Sequence, residues 1–80
     1  MKALNLGIMG YFTRLEQEEV RGFLRQTDRD LRAAATPGEF DTVLHELMVA
    51  ARYDTPPGST VDHAYQIITG WVDSGKYQVP

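Results

Sequence analysis

The stretch TPGEFDTVLHELMVAARYDTPPGST, residues 36–60, decides how this chain folds. Its apolar side chains Phe40, Val43, Leu44, Leu47, Met48 and Ala51 recur at the three- and four-residue intervals that place them on one face of an α-helix. Thr36 is placed to accept from the amides that a first helical turn leaves unpaired. Pro37 suits the first helical position, and Glu39 completes a capping box. The stop is as clear as the start. Pro56 and Pro57 have no amide to donate, and each disfavours helical dihedrals in the residue before it. The spacing therefore predicts a helix over 37–53 and a stiff corner after it.

Beyond the corner the same periodicity resumes. Val61, Ala64, Tyr65, Ile68, Trp71 and Val72 predict a helix over 60–74, capped by Ser59 or Thr60, with Asp62 in the first turn where the helix dipole favours an anion. Asp73-Ser74-Gly75 ends it, Gly75 being the residue suited to a left-handed conformation. Upstream, residues 13–35 read TRLEQEEVRGFLRQTDRDLRAAA. They open on a capping box, Thr13 with Glu16, and predict a helix over 14–35 whose inward stripe is Val20, Phe23, Leu24, Thr27, Leu31 and Ala34. Gly22 interrupts it at a cost of about 1 kcal/mol relative to alanine, which is read as a close helix contact. Residues 1–12 fit either a short helix (Leu4, Ile8, Phe12) or an alternating strand (Leu4, Leu6, Ile8). A lone strand is not stable, so a short helix or docked arm is expected. The expected fold is all-α: one domain over 1–80, a small antiparallel bundle of three main helices.

Composition narrows the function. The chain has 80 residues, no cysteine and a formal net charge of −3. Disulfides, thiolate metal sites and a cysteine nucleophile are excluded, and a cytoplasmic location is expected. No window approaches the roughly 20 apolar residues that cross a bilayer. MKALNLGIMGYF is apolar but broken by Gly7 and Gly10, with no small-residue cleavage pattern, so it does not read as an export signal. Charge is uneven: residues 1–35 carry six basic and five acidic side chains, residues 36–80 two and six.

Little of the sequence resembles catalytic machinery. His45-Glu46 is how the zinc-binding helix of many metallopeptidases begins, but that helix needs a second histidine four residues on, and Val49 stands there. His63 lies beyond the corner. Ser59 and Thr60 near His63 are better placed as helix caps than as nucleophiles, and PPGST lacks the glycine spacing and lysine of a phosphate loop. The expectation is a non-enzyme with no cofactor and no bound metal.

Binding features are better represented. Arg21, Arg25, Arg29 and Arg32 fall along one side of the first helix, with Arg14 a heptad before Arg21. Like charges one turn apart disfavour a helix unless neighbouring acids (here Glu18, Asp28 and Asp30) or a partner neutralise them. The Pro-Pro-Gly corner holds Tyr53 and Asp54, a rigid presentation that lowers the entropy lost on docking. Ile67, Val49, Met9, Tyr11 and Tyr77 lie off the inward stripes as surplus apolar surface. The expected partner-binding set is Arg21, Arg25, Arg29, Tyr53, Asp54 and Ile67. The partner expected is another protein with an acidic patch, a second copy of the chain being the other candidate. Nucleic acid is disfavoured by the acidic balance and by a third helix without arginine or lysine before Lys76; a regulator using the arginine stripe on nucleic acid is the alternative.

The segments GYFTRLE, GEFDTVLHEL and IITGWVDSGK resemble, in loose layout, the immunity proteins of nuclease colicins and pyocins, small acidic helical bundles that silence a toxin. The resemblance implies an inhibitor of bacterial or phage origin. The family's short tyrosine-bearing helix has no counterpart between Pro57 and Val61, and this chain is less acidic.

Overall fold

Two corners and three caps dictate the architecture. A computed structural model describes residues 12–80, in which three α-helices follow one another: α1 (Arg14–Ala33), α2 (Pro37–Val49) and α3 (Thr60–Asp73). No strand occurs among the described residues. The expected arm over 1–12 falls outside them except at Phe12.

Each helix begins as its cap residues dictate. Thr13 accepts from the Glu16 amide at 3.1 Å while the Glu16 carboxylate accepts from the Thr13 amide at 2.9 Å, a complete capping box. At α2, Thr36 accepts from the Glu39 amide at 3.1 Å, but the Glu39 carboxylate reaches one residue further back, to the Ala35 amide at 2.7 Å. That bond explains why α1 stops at Ala33 rather than at residue 35: Ala34 is already extended (φ −65°, ψ 126°) and the Ala35 amide is committed to the next helix. Ser59, not Thr60, caps α3, accepting from the Asp62 amide at 3.2 Å. Gly75 adopts φ +83°, and the Lys76 amide reaches back to the Trp71 carbonyl at 3.0 Å, the six-to-one bond that closes a helix on a left-handed glycine.

The predicted helix over 37–53 keeps its extent but changes its winding. From Ala50 to Asp54 the chain widens into one π-helical turn. Thr55, just beyond, donates its hydroxyl to the Ala50 carbonyl at 3.0 Å, occupying an acceptor at the end of the helix. The corner is then a tight turn: the Ser59 amide bonds the Pro56 carbonyl at 3.2 Å and Gly58 takes φ +80°, with Pro57 preceding it as such a turn requires.

A continuous core forms from Leu31, Phe40, Leu47, Val61, Ile68 and Tyr77, with Trp71, Leu24, Val43 and Leu44 packed against it. Ile68 and Val20 are fully buried. Hence Phe40, Leu47, Ile68 and Trp71 meet as their periodicities require. α1 packs chiefly on α3. Thr60, at the start of α3, donates to Glu19 at 2.6 Å, and Tyr77, past its end, donates to Asp28 at 2.6 Å. The order of these two contacts sets α1 and α3 in the same sense.

Three expectations are corrected. Phe23, assigned inward, is 37% exposed, because the buried residues of α1 are Val20, Thr27 and Leu31, a seam too narrow to include it. Gly22 makes no helix contact among the described residues: a Cβ built there would meet none of their atoms within 4 Å. Tyr77, assigned to surplus surface, is buried at 8% exposure because its phenol and ring both find partners in the core.

Candidate functional site

The arginines of α1 are exposed, and they are not equivalent. Arg21 pairs with Glu18 at 2.7 Å, one turn back, and Arg32 pairs with Asp28 at 3.1 Å. Asp30, the remaining local acid, accepts instead from Gln26 at 3.2 Å. Arg25 and Arg29 have no carboxylate partner among the described residues. Local neutralisation therefore covers the edges of the stripe and leaves its middle open. Pairs as exposed as Arg21–Glu18 contribute at most about 1 kcal/mol, so even the covered arginines are available to exchange partners.

The corner leaves both of its candidate residues open to solvent. Tyr53 is 77% exposed and Asp54 is exposed beside it, both on the π turn. Arg52 folds back so that its guanidinium lies 5.4 Å from the Tyr65 ring centre. Ile67 is half-buried, so it offers less surface than its off-stripe position implies. The six expected binding residues thus occupy three elements: three on α1, two on the π turn and one on α3.

Two recesses formed by the described residues stand out, and neither is lined by any of those six. A recess of about 290 Å³ beside the π turn is lined by Ala51, Arg52, Thr55, Pro57, Asp62 and Gln66. The larger, about 470 Å³, lies where the C-terminal tail crosses the end of α1, between Arg32, Lys76 and Tyr77. Its two cations invite an anion, yet they already have work. Arg32 closes the last turn of α1 and Lys76 follows the end of α3, where helix dipoles favour positive charge and oppose an anion.

Arg32 and Tyr77, which line that second recess, belong to a polar constellation that the sequence reading missed. The Tyr77 hydroxyl donates to the Asp28 carboxylate at 2.6 Å, and the Arg32 guanidinium both pairs with Asp28 and lies 5.3 Å from the centre of the Tyr77 ring. The ring meets Phe40 edge-on, centroids 6.1 Å apart. The Lys76 ammonium sits 3.6 Å from the centre of the Trp71 ring. The phenol's hydrogen bond holds the Asp28 carboxyl below its usual value of 3.8; the cost of burial opposes it, and Arg32 and Lys76 add to the lowering. Burial, then the neighbouring carboxylate, pushes the Tyr77 phenol well above its usual 10.0. The Tyr77–Asp28 hydrogen bond tethers the segment after α3 to α1.

The residues considered for catalysis are dispersed. His45 and Glu46 are exposed on α2, whereas His63 is half-buried on α3 with its ring edge-on to Phe12, centroids 5.3 Å apart. Its Nε2 is buried and meets no hydrogen-bond partner among the described residues. Ser59 is engaged as a cap and donates to the Thr55 hydroxyl at 3.0 Å, while Thr60 is engaged with Glu19. Among the described residues no three metal-binding side chains converge, and no helix is long and apolar enough to cross a membrane. No family model, curated protein or solved structure matches the chain.

Proposed function

We propose that this chain is a non-enzymatic docking module that grips an acidic surface of another protein, as an inhibitor, adaptor or regulatory subunit. The observation that carries the reading is the pair Arg25 and Arg29: exposed, one helical turn apart, and without a carboxylate partner among the described residues. Two guanidiniums at that spacing present donors for carboxylates at a matching interval. Tyr53, held on a π turn ahead of a proline corner, supplies a rigid aromatic contact at a second place on the surface. The scaffold is an antiparallel bundle, supported by short links and by the shared sense of α1 and α3. A location in the cytoplasm accords with the cysteine-free composition, and a bacterial or phage-encoded inhibitor fits a chain of 80 residues.

Capture from lysate tests it, using the wild-type chain and R25E/R29E as paired baits. Melting temperature is expected to stay within about 2 °C, since neither arginine makes an ion pair among the described residues. The captured protein should disappear with the charge reversal and with about 0.5 M salt. Capture that is indifferent to both removes the arginine face from the function.

A further inference from the structure

Among the arginines of α1, Arg32 is the one whose guanidinium is fixed from two sides. Its Nε donates to both oxygens of Asp28, at 3.2 and 3.1 Å, and its central carbon lies over the Tyr77 ring, 5.3 Å from the centre. Asp28 is itself held, because the Tyr77 hydroxyl donates to it at 2.6 Å. Tyr77 in turn is buried, edge-on to Phe40. Arg25 and Arg29 have no such support, and Arg21 has only its bond to an exposed Glu18. Nε carries one of the five donors of a guanidinium. The four on the two Nη atoms of Arg32 meet no acceptor among the described residues, and the side chain is 56% exposed. Arg32 is therefore a fork clamped at its base, with both prongs unbonded.

We propose that Arg32 is the fixed anchor of the face that grips an acidic protein, taking one of the partner's carboxylates bidentately through its two Nη atoms, and that Tyr77 is a positioning residue for it. The inference rests on the docking function assigned to Arg25 and Arg29 and names how that face holds its partner. Arg25, Arg29 and Arg32 stand at i, i+4 and i+7, which puts them on one side of α1 over two turns, about 10 Å. A guanidinium already held in place loses less freedom on binding than the unsupported pair beside it. A lone anion is still a poor ligand for Arg32, since the carbonyls at the end of α1 oppose it. A carboxylate on a chain that Arg25 and Arg29 also hold arrives at high local concentration, and that offsets the opposition. The anchor thus works only as part of the three, on a partner with several carboxylates.

The probe is a polyglutamate peptide of about ten residues, titrated into the full chain at low salt and read by the nuclear magnetic resonance signals of the arginine Nε–H groups. The titration is run in the cold, where circular dichroism shows each variant folded. In the free chain the Arg32 Nε–H should exchange with water most slowly of the α1 arginines, because Asp28 holds it. Polyglutamate should shift Arg25, Arg29 and Arg32 together, while acetate at the same carboxylate concentration leaves Arg32 unmoved. Arg32→Lys keeps the charge but loses the fork, and should weaken binding about tenfold; Arg52→Lys, on the π turn, should change it less than about twofold. Tyr77→Phe should weaken binding about threefold in the native background and not at all beside Arg32→Lys, which a loss of stability alone would not produce. The proposal is overturned by an Arg32→Lys effect no larger than that of Arg52→Lys, by an equal Tyr77→Phe effect in both backgrounds, or by shifts confined to Arg25 and Arg29. The last of these leaves the docking function standing. Polyglutamate that moves none of the three, together with lysate capture indifferent to charge reversal, removes both.

Discussion

Removing one oxygen atom should measure what fastens the C-terminal tail. In Tyr77→Phe the ring remains, with its edge contact to Phe40 and the Arg32 guanidinium near its face, and only the 2.6 Å hydrogen bond to Asp28 is lost. A bond to a charged acceptor contributes about 1.5–3 kcal/mol when well shielded. Here the Asp28 side chain is 31% exposed and keeps Arg32 at 3.1 Å, so the carboxylate is not left unpartnered. The expected loss is therefore at the lower end, about 1–2 kcal/mol. A domain of this size loses roughly 4–8 °C of melting temperature per kcal/mol. Tyr77→Ala also opens a cavity in the core and should cost about 3–5 kcal/mol, a large part of the roughly 4–12 kcal/mol available to such a chain. Urea denaturation followed by circular dichroism gives both numbers, and the cycle Tyr77→Phe, Asp28→Asn isolates the pair. A coupling energy under about 0.3 kcal/mol would refute the reasoning, because residues that do not share an interaction add.

The same tether makes stability depend on pH at both extremes. The Asp28 carboxyl is lowered by folding, so its contribution is present above the unfolded value of 3.8 and is lost as pH falls through the folded one. The Tyr77 phenol is raised by folding, so its contribution is intact below 10.0 and is lost as pH climbs beyond it. Melting temperatures should decline in both windows, and Tyr77→Phe should flatten the alkaline decline; an unchanged alkaline limb would assign it elsewhere. Ser59→Ala removes the α3 cap and a bond to Thr55, and should destabilise by about 1 kcal/mol in a chemical melt. Gly58→Ala should cost about 1–2 kcal/mol, for its φ of +80° strains any side chain even though space is open around it. Gly22→Ala, in ordinary helix and equally open space, should instead stabilise the fold by up to about 1 kcal/mol. Equal effects at the two glycines would contradict the backbone argument.

Why some of this was legible in the residues and some was not follows from the range of the interactions. Helix starts are local: Thr13, Thr36 and Ser59 each act on an amide three residues away, so their pattern is visible in a short window. The arginine spacing is local too, and so are the carboxylates that pair with Arg21 and Arg32. Which arginines remain open was not legible, because Asp30 is taken by Gln26, a competition decided by side-chain geometry. The tether was invisible for a different reason. Tyr77 and Asp28 are 49 positions apart, and Tyr77 follows the last helix, where no periodicity assigns a face. Phe23 shows the limit of periodicity itself: spacing assigns a broad stripe, but the space between α1 and its neighbours admits only Val20, Thr27 and Leu31 fully.

The π turn at Ala50–Asp54 holds a further consequence. Such a turn is the trace of one residue more than α-helical winding accommodates, parked without breaking the helix. Its neighbours on either side, Leu47 and Val61, stay seated in the core, so the surplus is absorbed locally. Losing a single residue there would let the helix rewind and swing Tyr53 by about 100° around its axis. The corner is thus a place where adding or dropping one residue would re-aim the chain's most prominent aromatic while the interior goes on packing as before.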